Sequence, residues 1–198
     1  MTLSFDADPS KARWLTEDVP HVHGAAVSRR LLIGPDAFEA YARVLTLPDP
    51  TYPGQSESDV DDEEIDAAPS DVDLVTAIVD LMTASDDRTE LFFLLWDGWP
   101  YSPELAVESP VEIAKIRRYA LAHGTLRDWL TWMDDGAERG FAPGFVWPAD
   151  RSWCITFDVD SHFAGVGGTA LAIERLRLDP ELTVVSDIPR ETIPPLYG

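Results

Sequence analysis

Apolar and polar positions along this chain change period several times, and each change marks an element. Val72, Val75, Ala77, Ile78, Val79, Leu81 and Met82 follow Ser70 and Asp71, which predicts a capped helix with a broad apolar face. Leu126, Trp129, Leu130 and Met133 repeat the helical spacing within 125–136, with Thr125 as N-cap and Asp128 at the capping-box position. A third helix is expected over 169–179. TELFFLLWDG (89–98) is instead an unbroken apolar run stopped by Asp97-Gly98, which predicts a buried central strand. RSWCITFDVD (151–160) alternates, with Trp153, Ile155 and Phe157 on one face and Cys154, Thr156 and Asp158 on the other. LTVVSD (182–187) reads as a last strand.

Other stretches carry weaker patterns. AAVSRRLLIG (25–34) reads as a strand closed by the turn signal Gly34-Pro35-Asp36. FEAYARVL (38–45) fits both periods, and its aromatic and β-branched content tips it towards strand. IAKIRRYALAHG (113–124) fits a strand or a short helix, ended by Gly124. The cluster Gly165-Val166-Gly167-Gly168 is expected to form a tight strand-to-helix turn with positive φ. Residues 1–24 form a polar lead-in, and 46–70, with four prolines and the run DVDDEEID, is expected to be an acidic loop insertion. Together these elements predict one α+β domain over 25–198, with a mixed or antiparallel sheet of four to six strands and two to four flanking helices. Strands and long helices do not alternate cleanly, so a doubly wound dinucleotide fold is not supported.

Composition narrows the partners. The 198 residues carry a net charge of −21, and thirteen Asp/Glu with no Lys or Arg lie between Val44 and Asp87. Direct nucleic-acid or anionic-membrane binding needs a basic footprint, which this balance denies. Mimicry of nucleic acid by a carboxylate face stays open, against the simpler reading of a solvated acidic loop. A single cysteine, Cys154, excludes an internal disulfide and suits a reducing cytoplasm. No Lys/Arg-headed apolar run opens the chain, and the longest apolar runs are too short to cross a bilayer, so a soluble cytoplasmic protein is expected.

The segments FEAYARVL, LWDGW, RRYALAHG and especially VWPADRSWCITFDVD followed by VGG resemble a group of uncharacterised actinobacterial proteins. The resemblance runs from Phe38 to Asp187. This chain departs from the group's pattern with Thr46-Leu47-Pro48 in place of a His-Pro pair, and with Phe145-Val146-Trp147 in place of tandem tryptophan. The resemblance implies a grouping and a cytoplasmic setting and carries no chemistry with it.

Several residues are candidates for function. Asp158, Asp160 and His162 sit at i, i+2 and i+4, so on an extended strand they share a face and can meet one divalent metal, with His21, His23 or His123 as a fourth ligand. The bland alternative is that aspartates at a strand end cap turns. A phosphotransferase of the Asp-x-Asp type also needs a downstream lysine, and none follows His162. His21-Val22-His23 has ligand-like spacing in a loop without a nearby cysteine. Gly165–Gly168 lacks the P-loop lysine and the dinucleotide fingerprint. Cys154, mid-strand between Trp153 and Ile155, is expected to be a buried inert thiol. Trp96 and Trp99 flank Asp97-Gly98, while Trp147 lies beside Pro148 and Asp150. With Asp97, Asp150 and Asp158 these tryptophans would line a groove suited to a cationic or protein partner. The leading expectation is therefore a non-catalytic, immunity-protein-like binder using an acidic, Trp-lined face (Trp96, Asp97, Trp99, Trp147, Asp150, Asp158), with no cofactor. A metal-dependent hydrolase centred on Asp158, Asp160 and His162, and an acidic nucleic-acid mimic, are the competing readings.

Overall fold

The computed structural model describes residues 3–6, 8–17, 25–99, 109–113, 115–134, 141–187 and 193–198, so His21 and His23 lie outside the described residues. In chain order the elements are β1 (Ser4–Phe5), α1 (Arg13–Thr16), α2 (Ala25–Leu32), β2 (Ala40–Leu45), α3 (Asp62–Ala67), α4 (Asp71–Met82), β3 (Leu91–Trp96), β4 (Val111–Ile113), β5 (Arg117–Gly124), α5 (Leu126–Asp134), β6 (Phe145–Pro148), β7 (Cys154–Thr156), β8 (Phe163–Gly168), α6 (Ala170–Leu178) and β9 (Thr183–Ser186). Short 3₁₀ turns at Pro9–Ala12 and Glu57–Asp59 complete them.

Among the described residues nine strands join one sheet in the order β1-β5-β3-β6-β7-β8-β2-β9, with β4 also on β5. Every pairing among them is antiparallel. The α+β class stands, but the expected four to six strands are too few, and the six α-helices among the described residues exceed the two to four expected. The strands not expected from the sequence are β1, β4, β6 and β8: the first three are only two to four residues long, too short for a period of two to register, and β8 carries the glycine cluster read as a turn.

Alternation along the strands sorts side chains onto two covered faces. On one, Phe93, Leu95, Ala122, Val146, Ile155, Val166 and Val44 pack with Leu74 and Ile78 of α4, Trp129 of α5 and Leu176 of α6. On the other, Phe92, Leu94, Tyr119, Phe145, Trp147 and Cys154 pack with Ala12, Leu15 and Leu31 from the N-terminal segment. Complete burial of a side chain such as Phe93 contributes roughly 1.5–3 kcal/mol. Among the described residues no helix is long and apolar enough to cross a membrane.

Two local expectations are corrected. Residues 25–32 form a helix, not a strand. Ala, Arg and Leu are good helix formers, and Val27 and Leu31 bury together one turn apart. Gly34 then ends the helix at φ 96°, its N–H bonded to Arg30 O. Gly165, Gly167 and Gly168 lie inside β8 with no positive φ, so they are not a turn. A Cβ on Gly165 would meet Leu32 O at 2.2 Å and Thr156 Oγ1 at 2.6 Å, and one on Gly167 would meet the Phe38 ring at 2.4 Å. These glycines let α2 and Phe38 approach the sheet closely.

The 46–70 stretch, read as a loop, carries the Glu57–Asp59 turn and α3. Ser56 and Asp59 form a capping box, and Asp61 caps α3 by accepting from Glu63 N–H. Carboxylates in a first helical turn gain from the helix dipole, which offsets the repulsion among Asp62, Glu63 and Glu64. Tyr197 Oη donates to Pro48 O at 2.6 Å, and Gly198 N–H donates to Gln55 O at 2.9 Å, so the chain end ties this segment down.

Candidate functional site

The β3 run ends at Trp96, opposite Tyr119 of β5. Gly98 follows closely enough that a Cβ there would meet the Trp96 ring at 2.3 Å, so only glycine lets the chain fold back over the indole. That turn sets Trp99 edge-on to Trp96 at 5.2 Å and stacks it on Phe141 at 4.1 Å. Asp97, at the turn, pairs with Arg118 at 3.5 Å.

Beneath the indoles lies Arg117. Its guanidinium sits 5.0 Å from the Trp96 ring centre. Its Nε donates to Asp158 Oδ1 at 3.0 Å and its NH2 to Oδ2 at 3.3 Å, a two-pronged contact. Asp160, with 86% of its side chain exposed, is 3.7 Å from the same group. Tyr119 lies buried alongside, its phenol pKa pushed up by burial first and by the charge of Asp158 next. The recess lined by Asp71, Trp96, Trp99, Tyr119 and Asp158 encloses ≈ 10 Å³, about one water's worth.

Asp71, the first residue of α4, carries the site outward. Crowding around its carboxyl pushes the pKa up, and the charge of Glu57 adds to the rise. Beyond it, Glu57, Asp59, Asp61, Asp62, Glu63, Glu64 and Asp66 are all exposed. The phenol of Tyr197 is raised by burial and then by Glu57, Glu64 and Asp49, so the chain end sits in the same negative field. Exposed carboxylates thus extend from the Glu57–Asp66 segment to Asp71 beside Trp96 and Trp99.

The structure brings together Trp96, Asp97, Trp99 and Asp158 of the predicted face, and leaves two members elsewhere. Trp147, 1% exposed, is packed against Phe92 at 5.6 Å and Trp14 at 6.0 Å. It pairs with Phe92 at the start of β3, whereas Trp96 is that strand's last residue. Asp150 lies in the turn after β6 and accepts from Ser152 N–H at 2.9 Å, so it too is at the far end.

The three candidate metal ligands face different partners. Past Thr156 the chain leaves the sheet and turns, Ser161 N–H bonding to Asp158 O, so the i, i+2 rule for strands no longer applies. Asp158 is held by Arg117, and Asp160 points to solvent. His162, its side chain 1% exposed, places Nε2 3.0 Å from Asp49 Oδ1. Among the described residues no group of three or more His, Cys, Asp or Glu is arranged to hold a metal. Cys154 is fully buried, which pushes its thiol pKa up and leaves the thiolate inaccessible.

Sequence reasoning missed Arg117, Asp71 and a buried network at the other edge. There Arg43 grips Asp49 through NH1 at 2.6 Å and NH2 at 2.8 Å, and His162 meets the same carboxylate. Burial works to raise the Asp49 pKa, but hydrogen bonds and charge from Arg43 and His162 outweigh it and hold it below the ordinary value. Arg43, the polar break in an apolar β2, was the only visible hint of this network; the Arg117–Asp158 pair, 41 residues apart, left none.

Comparison of the chain with models of protein families, with curated proteins and with solved structures finds no match in any of them.

Proposed function

We propose that this protein is a non-catalytic cytoplasmic binder that covers a basic surface of a protein partner with its acidic, tryptophan-edged face, in the manner of immunity proteins that neutralise toxins. One observation carries the reading. Asp71 belongs both to the recess of Trp96, Trp99 and Asp158 and to the field of Glu57, joining half-buried aromatics to a folded carboxylate array. Aromatic anchors beside charged rims are the pattern of energetic centres in protein interfaces. A crowded carboxylate with a like charge beside it gains most from an incoming cation.

The test is affinity capture from the native host, identification of the bound protein, and titration of the purified pair. Trp99→Ala and a Glu57→Gln/Glu63→Gln/Glu64→Gln variant are expected to weaken binding by about tenfold or more, with association slowing as salt rises. Unchanged affinity in both variants, each still folded at the assay temperature, would overturn the proposal. A captured partner that itself binds nucleic acid would point to charge mimicry as the way the same face works.

A further inference from the structure

At the opposite end of the sheet lies a second concavity, and its chemistry differs from the acidic face. It encloses ≈ 300 Å³ between the N-terminal segment and the start of β3, at the lower end of the range for small-ligand sites. Phe92 and Trp147, stacked at 5.6 Å, lie at its base. Two cations, Lys11 and Arg151, and two carboxylates, Asp6 and Glu90, stand around it. His123 lines it as well, and its buried Nδ1 has no hydrogen-bond partner among the described residues.

Three features mark this as a built site. Among the described residues neither Lys11 nor Arg151 makes an ion pair, although the chain carries 36 acidic residues against 15 basic. Arg151 adopts φ 57°, a conformation that costs a non-glycine residue energy and that clusters at functional positions. Its guanidinium lies 5.5 Å from the ring centre of Trp14, which itself packs edge-on to Trp147, so the cation is placed beside the cleft's aromatic wall. Glu90 likewise stands without an ion pair among the described residues, while Asp6 accepts from Asp8 N–H at 2.8 Å, so the cleft presents charge of both signs.

We propose that this cleft binds a small zwitterion of amino-acid size, its carboxylate held by Lys11 and Arg151 and its ammonium by Glu90 and Asp6. A simple anion would meet the two carboxylates, and a simple cation the two basic groups. Only a molecule carrying both charges satisfies the whole set. The site is independent of the acidic face, which lies at the far end of β3.

The experiment titrates the full-length protein with the proteinogenic L-α-amino acids, each alone, following tryptophan fluorescence and melting temperature. At least one is expected to bind saturably, while acetate, methylamine and the N-acetylated form of the same amino acid do not. Glu90→Gln and Lys11→Ala/Arg151→Gly are each expected to weaken it about tenfold, the scale for losing a charge-assisted contact. Glycine suits the left-handed φ at position 151, so Arg151→Gly removes the cation without loss of fold, which its melting temperature checks. The proposal is overturned if no amino acid binds, if acetate or the N-acetyl form binds equally well, or if the variants bind like the parent.

Discussion

Arg117 and Asp158 form a two-pronged ion pair with 18% and 13% of their side chains exposed, beneath the ring of Trp96. The pair joins β5 to the segment leaving β7, two places the chain reaches 41 residues apart. Removing one partner of a well-buried pair costs about 3–5 kcal/mol, mostly by stranding the other charge, and partial exposure here lowers that to about 2 kcal/mol. Arg117→Met is therefore expected to destabilise the fold by about 2 kcal/mol, and Arg117→Met/Asp158→Asn to recover much of the loss. Urea denaturation of the single and double variants measures both; an unchanged midpoint in Arg117→Met would show that the pair contributes nothing.

Trp147 and Trp99 separate packing from surface. Trp147→Ala is expected to cost about 3–5 kcal/mol, because the indole is buried between Phe92 and Trp14. Trp99→Ala, at a half-exposed edge, should cost about 1 kcal/mol, chiefly its stacking on Phe141. Thermal melts of the two variants check the contrast, and equal shifts would contradict the placement of Trp147 in the core.

Gly165→Ala tests the close approach of α2. The added methyl meets the backbone oxygen of Leu32, which has no side-chain freedom to yield. We expect a loss of about 2–4 kcal/mol, at or above the usual range for overpacking. Gly54→Ala is the control: nothing lies within 4 Å of its Cβ, and its φ of 78° alone should cost about 1 kcal/mol. Similar stability of the two variants would argue that α2 can shift away from β8 at little cost.

The capping box of α5 makes part of the stability depend on acid. Thr125 N–H donates to Asp128 Oδ2 at 3.0 Å, and Asp128 N–H donates back to Thr125 Oγ1 at 3.2 Å. That backbone bond, with one from the Thr125 hydroxyl, outweighs burial and holds the Asp128 pKa below its ordinary 3.8. As pH falls through 3.8 the unfolded chain takes up the proton first, so stability is full above that value and is lost as pH drops through the depressed pKa. Asp49, depressed by Arg43 and His162 against its burial, adds to the same slope. Asp128→Ala should cost about 1 kcal/mol at neutral pH. Melting temperatures recorded from neutral to strongly acidic pH should fall less steeply in Asp128→Asn than in the parent. Parallel curves would remove Asp128 from the acid response.

Local physics made the regular elements legible. The spacing of Val72, Val75, Ile78 and Val79 behind Ser70, the Thr125–Asp128 box and the run from Leu91 to Trp96 each specify their structure within one segment, and each is observed as such. The α+β class follows from their sum. Which end of the sheet a side chain reaches is a different kind of question. Phe92 and Trp96 share a face of β3 by alternation, and antiparallel register sets Trp147 of β6 opposite Phe92 and leaves Trp96 at the other end. Register, the tolerance of Gly165 for a neighbouring helix and the meeting of Arg117 with Asp158 are settled by contacts distant in sequence. Periodicity records which side of an element is apolar, and only packing decides what that side will touch.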